Sequence, residues 1–137
     1  MVRILGIDPG TKRCGIAITD SAETLAFPRE ALAYDTEFVT HVTRLVQEEH
    51  VELIVLGRPV SLAGSRTSST DFADQMFQQL SDNLELPVVQ HDERLTTTAA
   101  QRSLSSAGLK VRDHRARIDS AAAVVLLQHF VDSRNAP

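Results

Sequence analysis

Apolar residues along the chain fall into short runs with two different periods. Val2 to Ile7 is almost wholly apolar and ends in Asp8; Pro9 to Arg13 has turn composition, and Cys14 to Ile18 is apolar again. This pattern predicts a β-hairpin whose first strand delivers a carboxylate to its end. Residues 23–34 mix apolar and polar positions around Pro28, which suits a third strand lying at an edge or bulged at the proline. Over 36–49 the period changes: Phe38, Val42, Leu45 and Val46 recur at helical spacing, with Thr36 as the N-cap. Val51 to Leu56 predicts a buried strand closed by Gly57, and Phe72, Met76, Phe77, Leu80 and Leu84 share one face of a helix over 70–84. Leu86 to Gln90 predicts another short strand, with His91-Asp92-Glu93-Arg94 at its end. A helix over 96–107 should stop at Gly108, and 118–131 is apolar on nearly every side, so that last helix should lie against a sheet. Three strands, then helix, strand, helix, strand and two helices make an α/β domain with a mixed sheet covered by helices.

Length and composition narrow the class. The 137 residues, 42% of them hydrophobic, suit a single globular domain over 1–137 rather than a disordered chain. The longest apolar stretch, Ala121 to Leu127, is too short to span a bilayer, and no secretory leader pattern stands at the N-terminus. One cysteine, Cys14, cannot form an internal disulfide, so a soluble cytoplasmic protein is the expectation. Net charge is −4, but it is unevenly spread. Residues 21–93 carry a balance of −9, whereas 94–117 carry +5 from Arg94, Arg102, Lys110, Arg112, Arg115 and Arg117 against Asp113. With Lys12 and Arg13 in the first turn, this asymmetry can form a phosphate-attracting surface on an acidic protein, or a solvated basic loop.

Three acids stand at element ends: Asp8 after the first strand, Glu93 after the last, and Asp119 in the first turn of the apolar helix beside Ala121, Ala122 and Ala123. A charge beside Ile4, Leu5 and Ile7 costs free energy unless it is paired. If the strands carrying Asp8 and Glu93 run parallel and close together, both acids emerge at one rim, where open α/β sheets assemble their sites. Three converging carboxylates would repel one another without a cation. With Mg²⁺ or Mn²⁺ they become hard oxygen ligands, and two such ions suit in-line attack on a phosphodiester. Each acid also has an ordinary reading: Asp8 as part of a turn, Asp119 as a helix N-terminal acid, and Glu93 in a surface pair with Arg94 or Arg58. Asp92 is the substitute for Glu93 should the strand register differ by one.

The segments ILGIDPGTKRCGIAITD, VELIVLGRP, LPVVQHDERLTTTAA and RIDSAAAVVLLQHFVD resemble, in order and spacing, the YqgF/RuvX family. Its members are Holliday-junction resolvase-like proteins and nucleases assigned to the 5′ end of pre-16S ribosomal RNA. The resemblance implies an RNase H-like fold with a five-stranded mixed sheet, the first three strands antiparallel. It implies that Asp8, Glu93 and Asp119 are catalytic metal ligands, and that the substrate is structured RNA or branched DNA, with ribosomal precursor particles as partners. Lys12, Arg13, Arg94, Lys110, Arg112, Arg115 and Arg117 are the candidate nucleic-acid contacts. Ser61 and Ala63 stand where the family usually has an asparagine and an acidic residue, and Asp113 interrupts the basic stretch.

Two other functions compete. A binding module that keeps the fold would be expected to lose an acid, and all three are present. An actin-like ATPase or sugar kinase would share Asp8-Pro9-Gly10-Thr11 but needs a second domain to close over ATP. Junction resolution calls for paired cuts and a C2 dimer; no dimer stripe stands out, so a monomer or weak homodimer is expected. His41, His50, His91, His114 and His129 lack metal-cluster spacing and read as packing or surface residues.

Overall fold

The computed structural model describes residues 3–60, 63–93 and 120–135. Five strands, β1 (Arg3–Asp8), β2 (Arg13–Thr19), β3 (Ala26–Ala33), β4 (Val51–Arg58) and β5 (Val88–Asp92), form one sheet in the order β3-β2-β1-β4-β5. β1, β2 and β3 pair antiparallel, whereas β4 runs parallel to both β1 and β5. Helices α1 (Phe38–Glu49) and α2 (Ser68–Asn83) cover one face, and α3 (Ala121–Asn135) covers the other. The expected mixed five-stranded sheet with an antiparallel opening is therefore present.

Alternation along the strands sorts the core into two halves. Leu5, Ile7, Ile16, Ile54 and Leu56 pack against Phe38 and Val42 of α1 and Met76 and Leu80 of α2. Cys14 shares that face; burial pushes its thiol up to about 11. Ile4, Ala17 and Val55 meet Ala123, Leu127 and Val131 of α3. α3 lies close to the sheet because β1 offers no side chain at Gly6. A Cβ there would stand 2.9 Å from Leu127 Cβ and 3.4 Å from Ala123 O. Gly6→Ala must therefore lift the helix, at about 1–3 kcal/mol for overpacking. Urea unfolding should show a lower midpoint with an unchanged slope.

Several local expectations are corrected. α1 starts at Phe38, with Glu37 rather than Thr36 at the cap position and no side-chain cap bond. The preceding turn is held instead by Asp35, whose carboxylate accepts from Glu37 N at 2.9 Å and whose carbonyl accepts from Phe38 N. α2 begins two residues early because Thr67 and Thr70 cap each other's backbone N–H groups. β3 is an edge strand, but its irregularity lies beyond Pro28, between the pairs Cys14–Leu32 and Ile16–Arg29. β5 runs two residues further than expected, and β4 continues through Gly57 to Arg58. The expected helix over 96–107 lies outside the described residues. Among the described residues, no helix is long and apolar enough to cross a membrane.

Candidate active site

The parallel strands β1, β4 and β5 end at the same rim. Asp8 closes β1, Gly57 and Arg58 close β4, and Glu93 follows the last residue of β5, its N–H donating to Arg58 O at 3.3 Å. Gly57 pairs with His91 in the β4–β5 ladder. By alternation, Asp8 lies on the face of Ile4 and Gly6, and Gly57 on that of Val55. This is the α3 side of the sheet.

Glu93 reaches back across β4 to hydrogen-bond with Asp8. Its path lies directly over Gly57: a Cβ at position 57 would stand 2.5 Å from Glu93 Oε1, 2.6 Å from Cδ and 3.1 Å from Cγ. The missing side chain of one strand is thus the channel through which the acid of the next reaches the acid of a third. Burial, the hydrogen bond to Asp8 and the charges of Asp8 and Asp92 push the Glu93 carboxyl up to about 10. It therefore keeps its proton through neutral pH, shared in the bond to Asp8. Two carboxyl groups held together at that cost form a hard-oxygen donor set that a divalent cation would relieve.

The other face of the rim carries a separate charge network. Asp74 on α2 receives Arg58 Nε at 3.0 Å and Nη2 at 3.3 Å, Gln90 Nε2 at 2.7 Å and Arg66 Nη2 at 2.5 Å. The Arg58 and Gln90 hydrogen bonds hold the Asp74 carboxyl below the usual range. Arg58 is thereby directed to Asp74, and not to the surface pair with Glu93 considered above. Thr70 Oγ1 donates to Pro59 O, fixing the chain where it leaves β4. Asp92 alternates to this face with Gln90, so the register assigns the inner position to Glu93.

Lys12 and Arg13 are exposed in the turn that leaves Asp8. A side chain on Gly10 would collide with the Arg13 carbonyl, so this turn closes only around glycine. His91 serves packing: its Nε2 meets His129 Nδ1 at 2.8 Å and its ring stands edge-on to Phe130. Burial and the neighbouring His129 lower its pKa. Asp119, Arg94, Lys110, Arg112, Arg115 and Arg117 lie outside the described residues, as does His114. Among the described residues, no three His, Cys, Asp or Glu side chains gather as a metal cluster; the described pair is Asp8 and Glu93. Sequence reasoning missed Gly57 as a spacer and the Asp74 network. The glycine closing VELIVLG was a visible signal, whereas Asp74, on a helix with no special spacing, gave none.

Residues 2–133 match the family described as RuvX: Holliday junction resolvase. A protein of Chloroflexus aurantiacus named "Putative pre-16S rRNA nuclease" is 37% identical over 133 residues, covering 96% of this chain and 87% of its own. Its namesake in Mycolicibacterium paratuberculosis is 41% identical over 140 residues, covering 98% and 82%. Among solved structures, the fowlpox virus resolvase with Holliday junction DNA superposes with a TM-score of 0.63 at 12% identity, covering 97% of this chain and 99% of that one. T. thermophilus RuvC with a Holliday junction substrate gives 0.58 at 14%, covering 99% and 97%. At such identities the likeness is one of fold, that of RNase H-like resolvases.

Proposed function

The chain belongs to the RuvX family, and from that premise we propose that it is a divalent-metal-dependent endonuclease that trims the 5′ end of pre-16S ribosomal RNA in the cytoplasm. The observation that carries the metal centre is the hydrogen-bonded Asp8–Glu93 pair across Gly57. Asp8 and Glu93, with Asp119 as the third carboxylate, would hold Mg²⁺ or Mn²⁺, two ions in all. Such ions activate a water and neutralise charge at the leaving oxygen of a phosphodiester.

The chain's own residues supply the rest. Gly57 leaves the space in which the Glu93 side chain crosses β4, so its carboxyl group can stand beside Asp8, where the two would hold a cation. Lys12 and Arg13, exposed beside Asp8, would draw in the phosphate backbone, joined by Arg94, Lys110, Arg112, Arg115 and Arg117. Contacts of this kind position a substrate without reading its sequence, which suits recognition of structured RNA within a ribosomal precursor particle. A monomer or weak homodimer suffices for a single cut.

The family description and the junction-bound structural relatives favour a second substrate, the four-way DNA junction, which would call for paired cuts by a symmetric dimer. Wild type and Asp8→Asn should be assayed with Mg²⁺ or Mn²⁺ on a precursor-rRNA fragment, single-stranded RNA and a four-way junction. The expected result is cleavage of the precursor by wild type and a loss of about 10³-fold or more in the variant. Cleavage that survives Asp8→Asn would overturn the metal-site assignment. Symmetric cleavage of the junction alone would select the second substrate.

A further inference from the structure

The Ser120 side chain, fully buried at the start of α3, occupies an unusual place. Between the pairs Cys14–Leu32 and Ile16–Arg29, two residues of β3, Glu30 and Ala31, oppose the single Gly15 of β2. Beside that bulge the Ser120 hydroxyl enters the ladder. It accepts from Ile16 N at 3.1 Å and donates to Arg29 O at 2.6 Å. The same residue's carbonyl accepts from Val124 N at 3.0 Å, the first turn of α3. One residue thus joins the helix start to two strands.

The place of this tie matters. Gly15, next to Ile16, is the cross-strand partner of Asp8. The other polar ties of α3 act further along the helix. Gln128 accepts from Ala26 N and donates to Thr24 O, both at 2.9 Å, and Arg134 meets Glu23 at 3.2 Å. These ties hold the β2–β3 turn, at the end of the sheet opposite the Asp8 rim. For stability alone, any of them would serve.

Resting on the metal-centre reading above, we propose that Ser120 is a positioning residue for that centre. Its hydroxyl, inserted at the bulge, ties the start of α3 to β2 at Ile16 and to β3 at Arg29, and so fixes β2 beside Gly15, the residue against which β1 presents Asp8. Replacement by alanine leaves the Ile16 N–H and the Arg29 carbonyl without their partner and frees the helix start to shift.

The test is Mn²⁺ binding by calorimetry, with amide exchange of Ile16 followed by NMR, on wild type, Asp8→Asn, Ser120→Ala and Gln128→Ala. Ser120→Ala should speed exchange at Ile16 and weaken Mn²⁺ binding by about tenfold or more, as loss of an outer support does in metal sites. Gln128→Ala should leave both near wild type, although it too removes two hydrogen bonds between α3 and the β2–β3 region. Should Ser120→Ala fail to fold, Ser120→Cys fills the same space with a much weaker hydrogen-bonding group and should show the same loss. Wild-type affinity in the serine variant, or equal weakening in Gln128→Ala, overturns the inference while Asp8→Asn still reports the metal site. If wild type takes up no Mn²⁺, the inference falls together with the function it rests on.

Discussion

Gly57→Ala is expected to leave the protein folded and to lower kcat by about 100-fold or more, the scale on which an ångström of misplacement acts in a catalytic site. Position 57 lies within the extended strand β4 and pairs with His91 of β5, so an alanine there is acceptable to the backbone. The obstacle is the carboxylate above it: Oε1, Cδ and Cγ of Glu93 all lie within 3.1 Å of the new Cβ. These atoms belong to a flexible side chain, so the side chain will yield while the strand stays. Gly6→Ala behaves in the opposite way, because the obstructing atoms belong to the start of the Leu127 side chain and the α3 backbone. The two alanines should therefore separate cleanly. The first should keep the urea midpoint and lose turnover, and the second should lose stability. A Gly57→Ala enzyme with wild-type kcat would show that Glu93 need not cross β4.

Glu93→Gln should abolish turnover and stabilise the metal-free protein, raising Tm at pH 8 by roughly 5 °C, the order expected for about 1–2 kcal/mol in a domain of this size. In the folded chain the Glu93 carboxyl holds its proton up to about pH 10, against 4.5 ordinarily. Between those values the folded state binds a proton that the unfolded state releases, so stability is fully present below about pH 4.5 and is lost as pH rises towards 10. Glutamine keeps a donor for Asp8 and cannot ionise, so its melting temperature should lack that decline. Mn²⁺ at pH 8 should raise the wild-type Tm and leave the variant nearly unchanged, since a ligand stabilises only the state that binds it. A wild-type Tm that rises from pH 5 to 9 along with the variant's would contradict the shared proton. Stability given up to hold two acids together is a common mark of a functional site.

Much of this arrangement was legible in residue order. The hairpin, the β4 run and the helical faces of α1 and α2 follow from apolar period alone, because each element buries one face against a neighbour. Asp8 and Glu93 were legible as acids at strand ends, and the parallel pairing of β1, β4 and β5 brings them to one rim. Thr36 misled because Asp35 supplies the turn before α1, a choice made by local hydrogen bonding that composition does not reveal. Pro28 pointed correctly to an edge strand, where its missing N–H is harmless, but not to the irregularity, which lies further along β3 beside Ser120. In the sequence Gly57 reads as punctuation; in the fold it is space. Whether a glycine ends a strand or makes room above it depends on what crosses over it, and here that residue comes from a different strand.

Under the proposed function, Asp8 and Glu93 are a protonated pair in the absence of metal and a cation site in its presence. Calorimetric titration of Mn²⁺ at pH 7.5 in two buffers of different ionisation enthalpy tests it directly, because the difference in heat counts the protons released. The prediction is release of about one proton per protein on binding, lost in Glu93→Gln, with binding itself abolished in Asp8→Asn. Uptake of Mn²⁺ with no buffer-dependent heat, or with unchanged affinity in Asp8→Asn, would contradict it.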